Sequence, residues 1–300
     1  MKRAVSVSLG SSSRNKSVVI TLGGQPISLE RIGVDGDERR ARALFAELDG
    51  QVDALGVGGV ELRIHIGDRS YPLRSGLNLV KEVRRTPTVD GSGLKHTLER
   101  RVFELAAPEL GGMPHFARAF VTLGVDRYGM AVAAEEVSDQ VIFGDLMFAL
   151  GAPIPVHGLR ALQRLGRVLV PIVGQLPISM LYPTGAAQES IQPKFGRFWA
   201  AAELIAGDFL YIRKHMPPQL AGKTVVTNTT TAADVALLQQ RGVAWLITTT
   251  PRLEGRSFGT NMMEAALTAY AGLGRALTLA ELNALIDELG LRPHAQRLNP

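Results

Sequence analysis

The run Asp90-Gly91-Ser92-Gly93-Leu94-Lys95 puts a carboxylate, two glycines, a hydroxyl and an amine within six positions. Glycines let a backbone approach a ligand closely, and the start of the helix that follows offers free N–H groups and a positive dipole end. A lysine in a first helical turn is unfavourable for the helix alone, so Lys95 points to an anionic partner or to proton transfer. In that chemistry Lys95 is the general acid/base and Asp90 orients it. Gly91, Ser92 and Gly93 would then line the substrate. The plainer alternative is a glycine-rich turn beside an exposed lysine.

Two further loops follow apolar strand candidates and open helices. Asn228, Thr229 and Thr230 come after Val225-Val226-Thr227, and Arg256, Ser257, Gly259, Thr260 and Asn261 come after 244–249. Hydroxyl and amide groups at strand ends hold phosphate, carboxylate or sugar hydroxyls, although they also cap helices. Arg256 adds a planar fork suited to bidentate anion contacts. These eight residues form the expected cofactor-binding set. Ser11 and Ser12, in the polar loop between the first two strands, are substrate-binding candidates, with a hairpin tip as the alternative. Gly56-Val57-Gly58-Gly59 approaches a dinucleotide fingerprint, but 60–64 alternates like a strand where a helix should begin. The six histidines show no metal-ligand spacing, and no metal is expected.

Composition narrows the classes. The 300 residues contain no cysteine, which excludes a thiolate nucleophile, a disulfide framework and Cys-ligated metals. Thirty-three basic against 28 acidic residues give a net charge of +5, and aromatics are 6%. Nucleic-acid binding calls for a basic stripe with interleaved aromatics, which is not present. No apolar run approaches the ~18 residues of a membrane span. The expectation is a cytoplasmic protein with a small anionic metabolite as partner, a homodimer as its assembly, and neither nucleic acid nor membrane.

These loops need a scaffold of alternating strands and helices. Strands are predicted at 4–9, 17–22, 27–32, 52–57, 61–66, 69–73 and 86–89, and helices at 38–48, 77–84 and 94–105. Beyond about 117 come strands at 120–125, 167–173, 223–227 and 244–249, and one within 204–212. Helices are predicted at 137–150, 159–165, 188–203, 232–241, 260–271 and 279–289. The fold class is α/β with two domains. Residues 1–115 form a mixed α/β domain with a β-meander start. Residues 116–300 form a parallel-sheet, Rossmann-like domain, and Pro108, Gly111-Gly112 and Pro114 mark the boundary.

The sequence resembles, nearly end to end, a bacterial family of quinate 5-dehydrogenases. The likeness is carried by 5–12, by 89–95, by Ala206-Gly207-Asp208-Phe209 with Tyr211-Ile212-Arg213, and by 256–261. It implies NAD or NADP as cofactor and oxidation of a quinate-like polyhydroxy acid, with Lys95 and Asp90 as the catalytic pair. Two other readings stand beside it. One is a non-catalytic, regulatory protein that binds an anionic metabolite. The other is a phosphotransferase whose opening order of strands is similar to that of actin-like kinases, with Ser6 or Ser8 where those kinases carry Asp.

Overall fold

The computed structural model describes residues 1–176, 191–253 and 256–300, with backbone alone at 252, 253, 256 and 257. In chain order it opens with β1 (Lys2–Ser8), β2 (Lys16–Leu22), β3 (Gln25–Gly33), α1 (Glu38–Leu48) and β4 (Ala54–Gly58). Next come β5 (Arg63–Ile66), β6 (Arg69–Pro72), α2 (Arg74–Leu79), β7 (Thr88–Val89) and α3 (Ser92–His96). The middle of the chain carries α4 (Val102–Leu110), β8 (Phe116–Val121), α5 (Tyr128–Glu136), β9 (Ser138–Phe143), α6 (Asp145–Leu150) and β10 (Val156–His157). It continues through α7 (Gly158–Val173), α8 (Gly196–Ala201), β11 (Leu204–Gly207), α9 (Phe209–His215), β12 (Thr224–Thr227) and α10 (Ala232–Gln240). The last elements are β13 (Trp245–Thr248), β14 (Arg252–Leu253), β15 (Arg256–Ser257), α11 (Thr260–Ala271), α12 (Leu279–Glu288) and β16 (His294–Arg297). Among the described residues no helix is long and apolar enough to cross a membrane.

The chain forms two compact units, each built from three stretches. Unit 1 takes Met1–Leu94, Val168–Gln188 and Phe258–Leu291; unit 2 takes Lys95–Arg167, Glu189–Ser257 and Arg292–Pro300. The first division therefore falls at Leu94/Lys95 and not at 115/116. Pro108 lies inside α4, which ends only at Gly111 in the left-handed conformation. Helix α11 also changes sides, because its sequence neighbours are in unit 2 while it packs on β1, β3 and β4 of unit 1.

Unit 1 has a five-stranded sheet in the order β2-β3-β1-β4-β7. The opening strands give the expected hairpin of β2 and β3, but β3 rather than β2 lies beside β1, and parallel to it. The pattern of exposure explains this placement. Residues 4–8 of β1 are all buried, as a central strand requires, whereas β2 alternates exposed and buried positions and suits an edge. One core gathers Val5, Val7, Phe45, Leu55 and Val57 beneath α1. Asp37 starts that helix by accepting the N–H groups of Arg39 and Arg40 at 2.9 and 3.0 Å. Residues 262–269 of α11 are all buried, as expected for a helix that is apolar nearly all round.

Unit 2 has a seven-stranded sheet in the order β10-β9-β8-β11-β12-β13-β16. The five inner strands are parallel, and β10 and β16 add antiparallel edges. Its core packs Phe120, Trp199, Ile205, Ile212, Val225 and Leu246. Three predicted elements are corrected here. The helix expected at 137–150 is β9 followed by α6, because 138–143 pairs with β8. The strand expected at 167–173 is the second half of α7, whose buried positions Leu162, Gly166 and Val170 recur every four residues. Of the helix expected at 188–203, residues 196–201 are helical and 188–190 lie outside the described residues.

Candidate functional site

In an open parallel sheet the ligand position is the crevice at the carboxyl ends of the strands, where the strand order reverses. In unit 2, β9 lies on one side of β8 and β11 on the other, so the order reverses between β8 and β11. The charged residues gather at that edge. Asp126 and Arg127 follow β8, Asp208 follows β11, Asn228 follows β12, and Thr249 follows β13. Lys95 from α3 and Glu99 from the turn after it complete the group.

Arg127 is the hub. It is 4% exposed; its guanidinium donates through Nη1 to Glu99 Oε1 and through Nη2 to Asp208 Oδ2 at 2.6 Å. Its Nε lies 3.6 Å from Asp126 Oδ2. Asp208 accepts from Asn228 Nδ2 at 2.8 Å and, as the N-cap of α9, from the Leu210 N–H at 2.9 Å. Asn228 fixes its own amide by accepting from the Phe209 N–H at 3.1 Å. Lys95 Nζ donates to the Asp126 carbonyl at 2.9 Å and lies 3.4 Å from its Oδ1. At Gly207 (φ +143°) a Cβ would come within 2.0 Å of Thr122 Oγ1, so only glycine lets β11 end this close to β8.

The charges set one another. Burial opposes the charge on Arg127, yet Glu99, Asp208 and Asp126 hold its guanidinium above the usual arginine range. Burial alone would raise Asp208, but Arg127 and the Leu210 N–H hold it below the usual carboxylate range. Glu99 has no exposed surface, and burial raises its carboxyl against the pull of Arg127 and Lys95. Burial, with Asp126 and Asp208 nearby, raises the Tyr211 phenol. Burial also lifts Asp145 to about 6, although the Val125 and Gly124 N–H groups donate to it at 2.9 and 3.0 Å.

Unit 1 gives the glycine-rich run a different job. The Asp90 carboxylate accepts from the backbone N–H of Leu62 at 2.6 Å and of Ser92 at 2.9 Å. Glu264 of α11 accepts from the Leu94 N–H at 3.4 Å, and burial beside Asp90 lifts its carboxyl to about 8. A Cβ at Gly93 would stand 2.5 Å from Leu282 Cδ1 and 2.6 Å from Glu264 Oε1. These glycines let the loop approach a helix of the chain itself. Gly93→Ala is accordingly expected to destabilise unit 1 by roughly 1–3 kcal/mol, read as a lower urea midpoint. An unchanged midpoint would show that the loop has room to spare.

The structure separates the predicted sites. Lys95 stands in the unit 2 cluster with Asp126 as its carboxylate partner, while Asp90 belongs to unit 1 and is occupied by backbone amides. Gly91, Ser92 and Gly93 are likewise in unit 1. Of the cofactor set, Asn228 joins the Asp208 network, and Thr229 and Thr230 are half-buried beside it. Gly259, Thr260 and Asn261 begin α11 in unit 1, where Asn261 Nδ2 donates to Ser6 Oγ at 2.6 Å. The side chains of Arg256 and Ser257 lie outside the described residues. Ser11 caps a short 3-10 turn, and the Ser12 N–H donates to Asp35 at 2.8 Å. Sequence reasoning missed Glu99, Asp126, Arg127, Asp208 and Glu264. One signal was on hand: the charged pair Asp126-Arg127 closely follows an apolar strand.

Several of the N–H groups that a nicotinamide dinucleotide would need at this edge are already used within the chain. The pyrophosphate of such a dinucleotide takes open N–H groups at a strand-to-helix turn. Here Gly124 and Val125 give theirs to Asp145, Phe209 gives its own to Asn228, and Leu210 gives its own to Asp208. At α10, Thr231 and Asp234 cap each other reciprocally. In unit 1, Gly56–Gly59 leads into the strand β5 and not into a helix.

Comparison with known proteins gives two family matches. A model described as "Domain of unknown function (DUF8754)" matches residues 93–298, and one described as "Domain of unknown function (DUF8753)" matches residues 3–90. The chain belongs to the DUF8754 family. No curated protein matches the sequence. Among solved structures, a crystal structure from Mycobacterium smegmatis is 10% identical, covering 99% of this chain and 91% of its own, with a TM-score of 0.33. Another from Mycobacterium smegmatis, in complex with β-D-fucofuranose, is 9% identical and covers 99% of each chain, with a TM-score of 0.32.

Proposed function

We propose that this DUF8754 member binds a small polyhydroxylated acid at the carboxyl edge of the unit 2 sheet and needs no nicotinamide to do so. The observation that supports this most is Lys95 against Asp126, 3.4 Å from nitrogen to carboxylate oxygen, beside the Arg127–Asp208–Asn228 network. Lys95 supplies the cation for the ligand's carboxylate. Asp126, with its side chain 22% exposed, accepts ligand hydroxyls. The network behind holds both in place, so little side-chain freedom is lost on binding.

The quinate-type dehydrogenase reading uses the same pair in another role, Lys95 holding and moving the alcohol proton with Asp126 in the place expected of Asp90. One experiment separates the two. Calorimetry with quinate, an uncharged polyol and inorganic phosphate, with and without NAD and NADP, should give heat for the hydroxy acid alone, unchanged by either nicotinamide. Lys95→Ala should weaken that binding about tenfold or more, the effect of a lost charge-assisted contact. Reduction of a nicotinamide in the presence of quinate would establish the dehydrogenase instead. No binding of any hydroxy acid would overturn both.

A further inference from the structure

We infer that Glu99 is a hydrogen-bond donor to the ligand of this site, its carboxyl carrying the proton on Oε2. The inference rests on the ligand position proposed above and adds a positioning residue to it.

The geometry is the starting point. Glu99 has no exposed surface, and its Oε1 accepts from Arg127 and lies 3.5 Å from Thr249 Oγ1. Its Oε2 is buried and meets no partner among the described residues. The surrounding charges are Arg127, Lys95 and Asp126, with Asp208 sharing Arg127. With Glu99 ionised, three carboxylates would share two cations in a cluster where Glu99, Lys95 and Arg127 are buried and Asp126 and Asp208 partly so. With Glu99 protonated, Lys95 and Arg127 balance Asp126 and Asp208. Asp208 is held low and Glu99 is raised, so the proton sits on Glu99. Because Oε1 is already taken by the Arg127 donor, the proton belongs on Oε2. A buried O–H without an acceptor is costly, and a carbonyl, carboxylate or hydroxyl oxygen of a ligand relieves that cost.

Deprotonation would remove the donor and leave a buried negative charge against the ligand. The affinity of the wild-type protein for quinate, measured by calorimetry upward from neutral pH, should fall tenfold per pH unit once Glu99 ionises. Glu99→Gln keeps an acceptor and a donor in place, and should bind within about threefold of the low-pH wild type at every pH. A wild-type affinity that falls with pH in parallel with that of Glu99→Gln would overturn the inference. Failure of quinate to bind at any pH would instead defeat the proposed ligand. The proton itself is then read in the protein without ligand. The infrared spectrum of the wild type minus Glu99→Gln at neutral pH should contain a carboxylic-acid C=O band, and its absence overturns the inference whatever binds.

Discussion

Replacing Arg127 with methionine is expected to cost unit 2 about 3–5 kcal/mol, the usual loss when one partner of a buried ion pair is removed. The guanidinium ties together the ends of β8 and β11 and the turn after α3 through Asp126, Asp208 and Glu99. Methionine fills similar volume, so little of the loss comes from a cavity. The cost falls mainly on Asp208, which loses its guanidinium partner and keeps its contacts with Asn228 and the Leu210 N–H, whereas burial already raises the Glu99 carboxyl. Adding Asp208→Asn should therefore recover part of the stability, a coupling that a double-mutant cycle measures directly. Both tryptophans, Trp199 and Trp245, belong to unit 2, so fluorescence during urea unfolding reports this unit. A loss below about 1 kcal/mol, of the size found for exposed pairs, would mean that the cluster is far more hydrated than its burial implies.

That cluster shows which parts of the molecule its sequence discloses. Helices α1 and α11 have the ends that the 3.6-residue pattern predicts, and most inner strands lie where apolar runs stop at Gly, Asp or Asn. The failures have local causes. Val141, Ile142, Leu146 and Leu150 fit a helical face, and only pairing with β8 converts the first half of that run into β9. In 167–173 the apolar run reads as a strand, although Val168 and Ile172 are over 60% exposed on a helix. Reading the strand ends located Lys95 and Asn228, yet their partners Asp126 and Asp208 are distant in sequence, and only Asp208 lies in one of the motifs, 206–209, which gives it no role. Glu99 lies between α3 and α4, inside what reads as one continuous helix at 94–105, and nothing local marks it as buried. The glycines of 90–95 were legible as a close approach of backbone. What they approach is α11, some 170 residues later, and that is decided by tertiary packing alone.

Glu264 makes that packing sensitive to pH. Its carboxyl is raised from 4.5 to about 8 in the folded chain, by burial first and by Asp90 second. In the unfolded chain it ionises near 4.5, so between roughly pH 4.5 and 8 the folded state holds a proton that the unfolded state has released. Unit 1 therefore has this contribution in full below pH 4.5 and loses it as pH rises, at about 1.4 kcal/mol per pH unit, until the folded carboxyl itself ionises near 8. The whole window amounts to roughly 5 kcal/mol. Glu264→Gln keeps an oxygen to accept the Leu94 N–H and cannot ionise, so its stability should lack this slope. The variant should match the wild type near pH 4.5 and exceed it above pH 8. Because the tryptophans lie in unit 2, the measurement for unit 1 is amide hydrogen exchange of α11 across the pH series, with exchange corrected for its intrinsic pH dependence. Wild-type and Glu264→Gln profiles that stay parallel throughout would mean that Glu264 is ionised in the folded chain and that its carboxylate is satisfied by the backbone amides around it.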